Sequence, residues 1–216
     1  MTLTHSEVAL LNEARQAIRR EAAGVAEVAD QIDSTFITAA QWLLHCTGKV
    51  FVTGAGTSGA IARRMAHLLA VCGTPSVFLQ AADALHGTMG AVTEGDIVIA
   101  ISRGGGSQEI NDLAQRVQER GAKVIALTAV SDSELGRISN LVVTLTSPQG
   151  IDPGEVIAMG STLVTAVWGD ALALVLMQLR GYSWESVLHT HPSGAVGKIL
   201  QAPQPLTQLH LDVSDA

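Results

Sequence analysis

Residues 96–121 read DIVIAISRGGGSQEINDLAQRVQERG. An apolar run gives way to three consecutive glycines, flanked by Ser102 and Ser107, and then to a helical pattern closing on Gly121. Residues 97–101 contain no polar side chain, as expected of a strand covered on both faces in a parallel sheet. The same order of strand, glycine-rich turn and helix recurs upstream in KVFVTGAGTSGAIARRMAHLLAVCG, residues 49–73. Downstream, KVIALTAVSDSELGRIS (123–139) gives a strand, a polar turn and a short helix. PSVFLQ (75–80) and LVVTL (141–145) add two more strands. Five short strands separated by helical patterns predict an α/β fold: a doubly wound five-stranded parallel sheet flanked by helices. The pattern does not encode strand order.

Around this unit the chain is helical. Val8, Leu11, Ala14, Ile18 and Val25 recur at helical intervals, predicting an amphipathic helix over 5–31. A second helix, over 33–46, is expected to bring Phe36, Ile37, Ala40, Leu43 and Leu44 onto one side. TSPQGIDPGEVIAM (146–159) reads as a loop before a long apolar helix from about 160 to 180. That helix carries Asp170 at its centre, where a membrane span avoids charge, so it is read as a buried helix. A short helix and a Gly/Pro turn follow in 181–200, and residues 201–216 read as an irregular tail.

With 216 residues, 47% hydrophobic and only 3% aromatic, the chain has an aliphatic core of one large domain or two small ones. Its net charge of −7, with scattered basic residues, excludes a nucleic-acid footprint. Cys46 and Cys72 could form one bridge but are read as two buried free thiols in a reducing compartment. The N-terminus lacks the basic start and apolar block of a signal peptide, so a cytoplasmic location is expected.

Two loops carry the candidate chemistry. GAGTSG (54–59) stands where a strand meets a helix, but no acid follows the next strand, as a dinucleotide fingerprint requires. Gly56 lets the backbone turn, while Thr57 and Ser58 add hydroxyls at a helix N-terminus, where an anion is favoured. The glycines could equally serve only a tight turn. SRGGGSQE (102–109) repeats the arrangement, with Gly105 and its neighbours free to turn amides inward. Ser107 could be a helix N-cap, an anion ligand, or both. Arg103 either clamps the anion or is a solvated side chain, with the second reading slightly preferred. Two such loops at strand ends make a crevice suited to a small phosphorylated metabolite. Glu109, in the next helical turn, is a candidate base; otherwise it is a surface acid favoured by the helix dipole. His86 and His191 each precede turn residues, and imidazole and carboxylate move protons near neutral pH. No Cys/His/acid cluster has ligand spacing, so neither metal nor cofactor is expected.

On GAGTSG, GTPSVFLQAADALHGTMGAVTEGDIVIAIS, SQEI, GDALAL and HPSGAVGK, in that order, the sequence resembles the sugar isomerase (SIS) domain family. Within that family it looks most like the arabinose 5-phosphate isomerases. The resemblance covers about residues 5–200 and implies a five-stranded parallel sheet with a phosphosugar site at the strand ends. It also implies a homodimer or homotetramer whose sites borrow residues from neighbouring subunits. A single SIS domain over 1–200 is expected, without the nucleotide-sensing domains that many relatives add. The family's loop serines match Ser102 and Ser107, its carboxylate matches Glu109, and its two histidines match His86 and His191. Ser161 and Thr162 match the hydroxyl-rich helix start that touches the phosphate. Two positions depart: Thr57 stands where the family has lysine, and Gly150 where it has an acid, leaving Glu155 as a displaced candidate. The leading expectation is an aldose–ketose isomerase working through a cis-enediol on a small sugar phosphate. The rivals are a non-catalytic phosphosugar sensor and another SIS isomerase, such as a 6-phospho-3-hexuloisomerase or a phosphoheptose isomerase. No nucleic-acid or membrane partner is expected.

Overall fold

The computed structural model describes residues 3–211. Five parallel strands make one sheet: β1 (Val50–Gly54), β2 (Ser76–Phe78), β3 (Ile97–Ile101), β4 (Lys123–Thr128) and β5 (Leu141–Thr144). Their order is β2-β1-β3-β4-β5. The chain winds outward from β1 to β2, then returns to lay β3 on the other side of β1. This reversal between β1 and β3 opens a crevice at the carboxyl ends of the strands.

Alternation along each strand feeds two cores. Val50, Val52, Ile97, Ile99, Ile101, Ile125 and Leu127 face one side of the sheet, and Phe51, Val98, Ala100, Val124 and Ala126 the other. The first side is covered by α2 (Ser34–Leu44), α3 (Gly56–Val71) and α7 (Gly160–Leu179). The second is covered by α4 (Ala81–Leu85), α5 (Gln108–Glu119) and α6 (Glu134–Ile138). Both faces of the central strands β1, β3 and β4 are sealed, which is why these read as apolar runs.

The N-terminal region departs from expectation. Its helix, α1 (His5–Ala26), starts on a Thr4/Glu7 capping box and ends earlier than predicted, passing into a 3-10 turn over Glu27–Gln31. The apolar stripe is present but uncovered: Val8, Leu11 and Ile18 are exposed, and Gly24 is the only buried residue of α1. In α2 the side chain of the N-cap Asp33 accepts from the Thr35 amide, so the helix begins at Ser34. Phe36, Ala40 and Leu43 are buried there, whereas Ile37 faces outward.

α7 is the one helix among the described residues long and apolar enough to cross a membrane. Half of it is core: Trp168, which meets Phe36 edge-to-face at 5.6 Å, is wholly buried, as are Leu172 and Leu176. The other face is open at Leu163 and Leu174. Asp170 is balanced by Arg64 of α3, through bonds of 2.5 and 2.9 Å. After α8 (Trp184–Thr190), residues 201–211 run without regular structure. The Trp184 indole donates to the Gln204 carbonyl and the Gln178 amide to that of Thr207. Positions 212–216 of the predicted tail lie outside the described residues.

Candidate functional site

Gly54 of β1 pairs with Ile101 of β3, so the two glycine loops leave the sheet side by side. The first passes into α3 with Gly56 at φ +55°, a conformation that side chains disfavour. The first-turn amides of α3, from Gly56 to Ser58, have no partners within the helix and open onto the crevice end of the sheet. The second loop folds on Gly105, whose φ is +64° and whose amide donates to the Ser102 carbonyl at 3.1 Å. That amide is committed, and the Ser133 hydroxyl fills the place where a β-carbon of residue 105 would go. The amides of Gly106 and Ser107 make no hydrogen bond among the described residues. Ser107 is the N-cap of α5 by position, yet its side chain makes no capping bond; it receives the buried Ser102 hydroxyl at 3.3 Å instead.

The Arg103 side chain is 42% exposed, as its sequence context favours, but it is also held by two acids. Its Nη1 donates to Asp152 at 2.9 Å, and its Nη2 lies 3.5 Å from Glu155. Asp152 has no exposed side-chain surface. Its Oδ1 accepts the amides of Met159 and Ser161 at 2.9 and 3.0 Å, so one carboxylate ties Arg103 to the start of α7. Burial pushes this carboxyl up, but the neighbouring Ser161 and Met159 groups and the Arg103 charge outweigh it and hold it below the ordinary range. Asp152, not the displaced Glu155, is therefore the buried acid before the long helix. Sequence reasoning misses it because an Asp–Pro step in a Gly/Pro loop reads as turn chemistry. The usable signal is an acid shortly before a helix start that lacks a capping side chain.

Beside this pair lies a narrow cleft, with about 20 Å³ of free space, lined by Ser58, Arg103, Ser161 and Thr162. A second, of about 10 Å³, shares Arg103 and Ser161 and reaches Thr128 and Ser147. The Ser161 hydroxyl is buried and unpartnered; it lies beside Asp152 without hydrogen-bond geometry to it. Thr162 is committed, its hydroxyl donating to the Met159 carbonyl at 2.6 Å. Of the two, Ser161 is the available donor.

The remaining expected residues lie outside these clefts. Thr57 is exposed. Glu109 is half-buried in the first turn of α5. His86 is exposed at the end of α4, before Gly87 at φ +121°. His191 follows α8, with Nδ1 2.9 Å from the Val187 carbonyl. A carbonyl only accepts, so that contact puts an N–H on Nδ1 and leaves Nε2 free of it. Among the described residues no three His, Cys, Asp or Glu side chains cluster to hold a metal ion.

A model of the SIS domain matches residues 43–175. Over 189 residues the chain is 35% identical to the arabinose 5-phosphate isomerase GutQ of Escherichia coli K12, covering 88% of this chain and 59% of that protein. It is 37% identical over 186 residues to the arabinose 5-phosphate isomerase KdsD of Salmonella typhi, covering 86% of this chain and 57% of that one. It thus spans less than two-thirds of the length of these relatives. The structure of an E. coli CFT073 protein in complex with arabinose 5-phosphate superposes with a TM-score of 0.83 at 32% identity, covering 88% of this chain and all of that one.

Proposed function

The chain belongs to the SIS domain family, and we propose that it is an aldose–ketose isomerase of sugar phosphates, with arabinose 5-phosphate the first substrate to test. The observation that carries this reading is the cleft at the β1/β3 crevice, where Arg103, Ser58 and the unpartnered Ser161 hydroxyl converge beside two loops of free amides. Likeness along the chain to the solved arabinose 5-phosphate complex supports the same ligand class. The phosphate sits among Ser58, Ser102, Ser107, Ser161 and Arg103, with the amides around Gly56 and Gly106. Binding this remote group positions C1 and C2 for reaction.

Glu109 takes the proton from C2 of the open-chain aldose, giving a cis-enediol, and returns it to C1 of the ketose. His191 or His86 moves the proton between the two oxygens and assists ring opening. Both histidines lie off the cleft of their own chain, so we assign them to the site of a neighbouring subunit in a homodimer or homotetramer. The uncovered apolar residues of α1 and α7, among them Leu11, Ile18, Leu163 and Leu174, support that assembly. We further propose a single SIS domain over residues 1–200, a cytoplasmic location, and no nucleic-acid or membrane partner.

The deciding experiment incubates the purified protein with a panel of aldose and ketose phosphates in deuterium oxide and follows proton NMR. Deuterium entering C1 or C2, with interconversion of one pair, is the expected result. Thermal stabilisation by a phosphosugar with no exchange at any carbon overturns the isomerase and leaves the sensor.

A further inference from the structure

Arg103 has two carboxylate partners of different character. Asp152 is fully enclosed, accepts two backbone amides and meets Nη1 at 2.9 Å. To leave it unpaired would strand a buried charge, so it is a fixed partner. Glu155 is 44% exposed and stands 3.5 Å from Nη2, beyond ordinary hydrogen-bond length. It is also the one non-glycine among the described residues at positive φ, +56°, a conformation disfavoured by its β-carbon. Its other oxygen holds the Gly150 amide at 2.6 Å. This second contact is loose, strained and open to solvent.

The cleft beside Arg103 has free space for about one water. Behind it, the Ser161 hydroxyl, in a residue only 8% exposed, has no partner. Nη1 of Arg103 is committed to Asp152, so an anion entering the cleft has Nη2 to take, the edge that Glu155 only approaches. The planar fork of arginine suits the exchange, since one edge stays on Asp152 while the other changes acceptor.

We infer that Glu155 is a displaceable stand-in for the substrate's phosphate, and that Asp152 is the positioning residue that keeps Arg103 aimed at the cleft while the two anions exchange. This rests on the reading of the site as a phosphosugar site. Glu155 then sets phosphate affinity by competing for Arg103, whereas Asp152 raises it, so removing the two charges has opposite effects.

The test is a titration with inorganic phosphate, followed by ³¹P NMR, of the wild type, Glu155→Gln and Asp152→Asn. Glu155→Gln is expected to tighten binding about two- to fivefold, the scale of an exposed ion pair. Asp152→Asn is expected to weaken it roughly tenfold or more, the scale of a buried charged hydrogen bond. Unchanged or weaker binding by Glu155→Gln overturns the inference, as does unchanged binding by a folded Asp152→Asn. If Asp152→Asn does not fold, Glu155→Gln alone decides. A collapse of kcat in Glu155→Gln also overturns it, because Glu155 would then be moving a proton. Wild type that exchanges deuterium but gives the wrong signs refutes only the inference. Wild type that neither exchanges deuterium nor binds phosphate refutes the phosphosugar reading and the inference with it.

Discussion

Gly59 rests on the carbonyl oxygen of Gly54: a β-carbon at residue 59 would lie 2.7 Å from it. The approach is reciprocal, since a β-carbon on Gly54 would lie 2.8 Å from the Ser58 carbonyl. Both obstacles are backbone and cannot swing aside, so the end of β1 and the start of α3 touch only because neither residue has a side chain. This contact places the first-turn amides of α3 over the crevice. Gly59→Ala is expected to push α3 off the strand at a cost of about 1–3 kcal/mol, the scale of overpacking. At about 2–4 °C per kcal/mol for a chain of this size, Tm falls by roughly 2–12 °C. Gly104→Ala, where a β-carbon meets no atom within 4 Å, is expected to stay within about 0.5 kcal/mol of wild type. Thermal melts by circular dichroism check both, and equal melting of Gly59→Ala and wild type would refute the close packing.

Glu109→Gln keeps the shape of the first turn of α5 and removes the proposed base. The expected loss in kcat is about 10²- to 10⁴-fold, with inorganic phosphate binding retained. His191→Asn is expected to lose turnover as well. Because His191 follows α8 and lines neither cleft of its own chain, the two inactive variants should complement each other when co-expressed. Mixed oligomers would then carry some sites with both groups intact. Activity that stays lost in the mixture counts against sharing across subunits.

Cys46 and Cys72 are both free thiols, half-buried rather than fully enclosed. Burial pushes the Cys46 thiol up, and the nearby Asp96 adds to the shift. Burial likewise raises Cys72, with a contribution from Asp170. The reactive species is the thiolate, so both should react slowly in the folded protein near neutral pH. Ellman's reagent is expected to titrate two thiols promptly in guanidinium chloride and neither promptly in native buffer. A fast-reacting native thiol would show that one of these environments is wrongly described.

The three central strands are legible in the sequence because burial on both faces makes each a largely apolar run, and the partly exposed edge strands β2 and β5 by their β-branched and aromatic residues. Gly56 and Gly105 are legible as loop glycines for the same local reason, their backbone conformations being closed to most other residues. Strand order is not legible, because the placement of β3 beside β1 depends on packing between segments far apart in the chain. The exposed face of α1 is a similar case: Val8, Leu11 and Ile18 have helical period, but period does not say what covers them. The pairing of Arg103 with Asp152 is not legible because that partner lies 49 positions away, in a loop whose composition signals only turns.

That partner also sets an acid limit on the protein. The ordinary carboxyl value for Asp152 is 3.8, and its folded value lies lower because the Ser161 and Met159 groups and Arg103 favour the charged form over the opposing effect of burial. A carboxyl lowered on folding binds fewer protons in the folded state than in the unfolded one, so stability rises with pH across the interval between the two values. The contribution of Asp152 is therefore full well above pH 3.8 and is lost as pH falls through the lower folded value. Asp152→Asn removes it, along with the charge that Arg103 faces. Denaturant melts of wild type and Asp152→Asn should show a stability gap that is constant from about pH 6 to 8 and narrows below about pH 4. A gap that stays constant down to about pH 3 would mean that Asp152 does not hold its charge through the bonds seen here. A gap that widens in acid would reverse the sign of its shift.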